Sequence, residues 1–79
     1  MQKALVFINS RSDTPDVVDD LKKVSGVTEA YASRGMYDAV VMVQGNSLTQ
    51  VQEIVSRRIR MLAGVKSTLT LTLVESPAT

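Results

Sequence analysis

Two hydrophobic periods run along this chain, and the switches between them mark six elements. Residues 3–9 (Lys-Ala-Leu-Val-Phe-Ile-Asn) are apolar and rich in strand formers, which predicts a strand. The polar stretch Asn9-Ser10-Arg11-Ser12-Asp13 then predicts a loop. Thr14 precedes Pro15, and a capping residue before proline at the first helical position marks a helix start. Asp16 adds negative charge to the first turn, where it suits the helix dipole. Val17, Val18, Leu21 and Val24 follow at helical spacing, and Gly26 predicts a left-handed helix end.

Residues 27–33 and 38–44 predict two further strands, with Gly35 in the connection as a hairpin glycine of positive φ. The short connection makes them an antiparallel hairpin. Asn46-Ser47 opens a second helix, and Gln50 completes a capping box three residues after Ser47. Leu48, Val51, Val55, Arg58, Ile59 and Leu62 mark its inner stripe, and Gly64 ends it. Residues 65–74 predict the fourth strand, where Thr68 to Leu73 alternate with period two. The tail from Ser76, which includes Pro77, is expected to fray.

Val24-Ser25-Gly26-Val27 and Leu62-Ala63-Gly64-Val65 both stand at a helix-to-strand junction, 38 residues apart in the numbering. Each half is therefore one βαβ unit. Together they predict an α+β, ferredoxin-like βαββαβ fold, a four-stranded antiparallel sheet with two helices on one face. The other face should then be polar. The fourth strand fits if Leu69, Leu71 and Leu73 face the helices and the threonines face away. The first and third strands disagree, because residues 4–8 and 39–43 are apolar on both faces. An uncovered apolar face marks an interaction surface, and identical chains are its simplest cover.

Composition sharpens this picture. With 79 residues there is room for one domain, and one this small is marginal as a monomer. Cysteine and histidine are both absent. That excludes disulfides and thiolate metal sites, and removes the usual general base near neutral pH. Self-association is the stabiliser that remains. The net charge of +1 gives no strong reason to bind nucleic acid or an anionic membrane. The apolar runs of five residues are far below the roughly 20 needed to span a bilayer. Because the first strand starts almost at Met1, the expectation is a cytoplasmic protein without a signal peptide.

Three segments in order carry a resemblance: Gly26-Val27-x-x-Ala30-Tyr31, Gly35-x-Tyr37-Asp38-Ala39-Val40-Val41, and Gly64-Val65-x-x-Thr68-x-Thr70. Over residues 3 to about 75 the chain resembles the effector-binding (RAM) domain of the Lrp/AsnC transcription regulators. In that family a helix-turn-helix domain precedes the effector domain. Here the chain looks like a stand-alone effector domain, which argues against direct nucleic-acid binding. The resemblance implies dimers that assemble into larger rings, often octamers, with amino acids bound at the junctions. Carried over, the effector-binding positions are Gly35, Met36, Tyr37 and Asp38 on the hairpin, with Thr68 and Thr70 on the fourth strand.

Chemistry at those positions is coherent with an amino-acid ligand. Asp38 can accept from an ammonium, and backbone N–H groups beside Gly35 can donate to a carboxylate. Thr68 and Thr70 are two apart on a strand, so their hydroxyls share a face. Met36 and Tyr37 can shape a side-chain pocket. Each residue also has a plainer reading: Asp38 as a turn stabiliser, Tyr37 as a half-buried strand residue, the threonines as a solvated face.

Other candidates carry less. Arg57, Arg58 and Arg60 read as a solvated helix end rather than a nucleic-acid patch, lacking interleaved aromatics. Asp16, Asp19 and Asp20 suggest a metal site at first sight, but adjacent acids on a helix point in different directions, so they read as a solvated face. Glu29 has no evident catalytic partner, and the serines have no histidine to activate them. The expected function is an oligomeric amino-acid sensor without cofactor or metal, with full-length regulators of the same family as possible partners. A purely structural interaction module is the main alternative. A small oxygenase and an amino-acid-binding ACT domain are further readings of the same strand order.

Overall fold

The computed structural model describes residues 1–11 and 16–73, with the side chain of Asp16 outside that set. The expected Thr14-Pro15 helix start, the charge of Asp16 and the frayed tail lie outside the described residues. The elements run β1 (Gln2–Ser10), α1 (Asp16–Lys22), β2 (Val27–Ala32), β3 (Ala39–Gly45), α2 (Leu48–Glu53) with a π-helical continuation (Ile54–Ile59), and β4 (Val65–Leu73). The four strands form one antiparallel sheet in the order β2-β3-β1-β4. This is the split βαβ arrangement expected of a ferredoxin-like fold.

Alternation on the two central strands divides the sheet cleanly. Ala4, Val6 and Ile8 of β1 and Ala39, Val41 and Val43 of β3 are fully buried. They meet Val17 and Leu21 of α1, Val51 of α2, and Ile54, Val55 and Ile59 of the π-helical segment in one core. Among the described residues, no polar or charged residue is buried. The side chains of the core are therefore held by apolar packing, with each buried valine, leucine or isoleucine contributing about 1.5–3 kcal/mol.

The sequence repeat is a structural repeat. Val24 N donates to Leu21 O and Val27 N to Val24 O, each at 3.1 Å. Leu62 N donates to Ile59 O and Val65 N to Leu62 O, again each at 3.1 Å. Gly26 has φ +101°, the left-handed conformation that an L side chain resists. The second helix begins as expected: Ser47 Oγ accepts from Gln50 N at 3.1 Å. Gln50 Oε1 reaches back to Asn46 N rather than to Ser47 N, one residue before the usual capping-box donor.

Two expectations are corrected. First, Leu69, Leu71 and Leu73 do not face the helices. Their partners are Phe7, Leu5 and Lys3, whereas Thr68, Thr70 and Thr72 lie opposite Ile8, Val6 and Ala4. Directly opposed residues share a face, so the threonines are on the helix side and the leucines on the open side. The helices pack mainly over β1, β2 and β3, which leaves the inner face of the edge strand β4 tolerant of threonine. The open face then carries Leu5, Phe7, Val40, Met42, Leu69 and Leu71. Leu69, Leu71 and Leu73 are 46%, 47% and 37% exposed.

Second, the inner stripe of the second helix differs from a regular 3.6-residue pattern. Leu48 and Arg58 are exposed, while Ile54, which that stripe omitted, is buried. Leu48 precedes the π-helical segment and Ile54 lies three residues after Val51, on a regular stripe; the exposure of Arg58 is the effect of the π-helical segment. Its wider turn shifts the helix phase, rolling Arg58 off the stripe and keeping Ile59 fully buried. Arg58 Nη1 instead donates to Ser25 O at 2.9 Å, tying this segment to the turn before β2.

Candidate functional site

The end of β1, the start of β3 and the start of β4 lie at one end of the sheet, because both neighbours run antiparallel to β1. The hairpin between β2 and β3 projects from that end. Gly35 turns it with φ +114°, and Met36 at its tip is 86% exposed. Ser33 N donates to Asp38 O at 2.9 Å, closing the base of the loop. Tyr37 is half-buried, with its ring centroid 5.3 Å from that of Phe7 at a tilt of 47°. Such tilted aromatic contacts are favourable beyond their burial.

Asp38 is more than a turn residue. Its N donates to Ile8 O at 2.8 Å. Its Oδ2 accepts from Ser10 N at 2.7 Å and from Ser10 Oγ at 3.0 Å. The Ser10 backbone N–H, and then its hydroxyl, favour the ionised carboxylate and hold Asp38 below the ordinary aspartate pKa. On the far side of β1, Asn9 Nδ2 donates to Ser67 Oγ at 3.2 Å.

Thr68 and Thr70 are half-buried on the helix side of β4, opposite Ile8 and Val6. Tyr37 packs on Phe7, which belongs to the open side. One whole strand, β1, separates the hairpin's strand from β4, a distance of about 10 Å at two strand spacings. The hairpin residues and Thr68 thus share one end of the sheet, Thr70 lies opposite the mid-strand residue Val6, and the two threonines are on the opposite face from Tyr37. Sequence reasoning missed Ser10 and Phe7, the two β1 residues on which the hairpin rests.

Elsewhere, Tyr31 Oη donates to Glu29 Oε1 at 2.6 Å, and that carboxylate raises the Tyr31 pKa. The signal was present in the sequence, since residues two apart on a strand share a face. A hollow of about 390 Å³ along the β2 edge is lined by Lys22, Glu29 and Tyr31. Among the described residues no group of three acidic side chains is placed to hold a metal ion. None of their helices is long and apolar enough to cross a membrane.

Comparison with known proteins gives this geometry its context. The Lrp/AsnC ligand binding domain matches residues 3–79. The chain is 28% identical over 72 residues to the regulatory protein AsnC of Escherichia coli strain K12, covering 91% of this chain and 47% of AsnC. It thus spans about half the length of the curated relatives it matches. The AsnC structure superposes with a TM-score of 0.85 at 26% identity, over 99% of this chain and 54% of that one. TTHA0845 from Thermus thermophilus superposes with a TM-score of 0.88 at 26% identity, over 100% of both chains. The feast or famine regulatory protein Rv3291c from M. tuberculosis, solved with L-methionine, shares the fold at 22% identity, with a TM-score of 0.78 over 100% of this chain and 54% of that one. With its domain model matched almost end to end, this chain belongs to the Lrp/AsnC ligand-binding domain family.

Proposed function

We propose that this chain is an oligomeric sensor that binds an amino acid or related metabolite where subunits meet. The observation that carries the assembly half of this reading is the open sheet face. Leu5, Phe7, Val40, Met42, Leu69 and Leu71 form one apolar surface on a domain of 79 residues. A surface of this kind calls for a cover, and a second copy of the same face is self-complementary. The ligand half is supported by family membership and by the L-methionine bound to Rv3291c. Placement of the two threonines on the opposite face from Tyr37 fits a site completed by a neighbouring subunit. Ligand at such a junction would stabilise the larger assembly by linkage. The signal would then pass to regulators of the same family by co-assembly, which mixing purified components tests directly.

One observation favours the alternative, a structural module that binds no metabolite. The Asp38 carboxylate already serves the fold through Ser10. A thermal-melt screen with each of the twenty amino acids separates the two. The sensor reading expects a rise with one or a few of them, because binding to the folded state adds RT ln(1 + [L]/Kd) of stability. Melting indifferent to the entire panel favours the structural module.

A further inference from the structure

We infer that Asp38 is a positioning residue of the effector site, fixing the hairpin to the end of β1 through Oδ2, and that effector binding depends on this role and not on the carboxylate's charge. This deepens the sensor reading and rests on it. Asp38 is held at three points: its N on Ile8 O, its O on Ser33 N, and its Oδ2 on both Ser10 donors. Oδ2 therefore accepts two hydrogen bonds of 2.7 and 3.0 Å from one residue 28 positions away in sequence. A carboxylate in that state has a fixed direction, set by β1 and not by solvent.

The consequence is local order where the ligand would sit. Tyr37 and Met36 immediately precede Asp38, and the Tyr37 ring rests on Phe7, three residues before Ser10. Fixing Asp38 on Ser10 and Tyr37 on Phe7 gives the hairpin two anchors on one strand. The same strand end is tied to β4 by Asn9 Nδ2 on Ser67 Oγ, next to Thr68. Two hydrogen-bonded contacts, Ser10 to Asp38 and Asn9 to Ser67, made by consecutive residues of β1, thus tie the hairpin and the threonine strand to the same strand end. In this arrangement the acceptor geometry of residue 38 matters more than its charge.

Three variants separate geometry from charge. Asp38→Asn keeps an oxygen acceptor at the same reach and removes the charge. Asp38→Glu keeps the charge and displaces it by one methylene. Asp38→Ala removes both. The first readout needs no ligand: amide hydrogen exchange of Met36 and Tyr37, with tryptic cleavage after exposed Arg34 as a second probe. Asn should stay within about three-fold of the parent, while Glu and Ala open the hairpin about ten-fold or more. The second readout is calorimetric binding of L-methionine, then of the other nineteen amino acids. Affinity should follow the same order, with Asn near the parent and Glu and Ala weakened about ten-fold or more.

If Asn loses binding while its hairpin stays closed, or Glu keeps it, Asp38 reads the ammonium and the inference is overturned. Equal exchange in all four proteins overturns it as well. If the parent binds none of the twenty amino acids, the sensor reading fails on its own, and the exchange data still decide whether Asp38 positions the hairpin.

Discussion

Gly26 and Gly35 offer a matched pair for testing how the helices lock onto the sheet. Both have left-handed backbones, with φ of +101° and +114°. Their surroundings differ. A Cβ on Gly26 would stand 2.5 Å from Cδ1, 3.2 Å from Cγ1 and 3.3 Å from Cγ2 of Ile54. Among the described residues, nothing lies within 4 Å of a Cβ on Gly35. Gly35→Ala therefore costs the backbone term alone, about 1–2 kcal/mol. Gly26→Ala costs the same term plus overpacking against Ile54, about 1–3 kcal/mol more. The loss of unfolded-state freedom on adding a methyl is shared by both and cancels in the difference. At roughly 4–8 °C per kcal/mol for a domain this size, Gly26→Ala should melt about 5–20 °C below Gly35→Ala. The assay is thermal unfolding by circular dichroism at one protomer concentration, since assembly makes melting concentration-dependent. Adding Ile54→Val, which removes Cδ1, should recover part of the Gly26→Ala loss, although Ile→Val alone costs about 0.5–1.5 kcal/mol. Equal melting of the two alanine variants, or strict additivity of Gly26→Ala with Ile54→Val, would refute the contact between the π-helical segment and the turn before β2.

Three further outcomes are expected. Leu71→Glu places a charge on the open face opposite Leu5, so sedimentation should shift toward a single chain while far-ultraviolet circular dichroism is retained; an unchanged sedimentation coefficient counts against that face as the interface. Ser47→Ala removes the acceptor for Gln50 N and should cost about 1 kcal/mol, seen as a melting drop of roughly 4–8 °C. Asp38 has a folded pKa below its ordinary value of 3.8, so the charge-dependent part of its stabilising contribution is complete above pH 3.8 and disappears as pH falls through the lower, folded value, leaving the part that an uncharged acceptor also supplies. In urea titrations from pH 6 down to 2, the parent should therefore lose more stability than Asp38→Asn, and parallel curves would contradict the Ser10 contact.

Much of the fold was legible because its signals are local. Gly26 and Gly35 announced positive φ, Ser47 and Gln50 announced a helix start, and the two junction tetrapeptides announced a repeat whose hydrogen bonds coincide. Orientation was less legible. A period of two shows that the Thr and Leu sets of β4 occupy opposite faces, but only the register with β1 says which face is which. The π-helical segment was invisible for a related reason. A stripe drawn at 3.6 residues per turn cannot register the wider turn that begins at Ile54, so it includes Arg58, seven residues after Val51; Ile54, three residues after Val51, is compatible with that stripe and its omission has no such cause. For the candidate site, the hairpin positions could be named from the family resemblance. The supports of that hairpin could not, because Ser10 and Phe7 reach Asp38 and Tyr37 only through the pairing of β1 with β3.

The open sheet face is proposed to make this chain work as an assembly. Light-scattering mass after size exclusion tests it most directly, run alone and with each amino acid that raises the melting temperature. A discrete multiple of the single-chain mass is expected, growing or sharpening in the presence of an effective amino acid. A stable particle of one chain, unchanged across the panel, would contradict it.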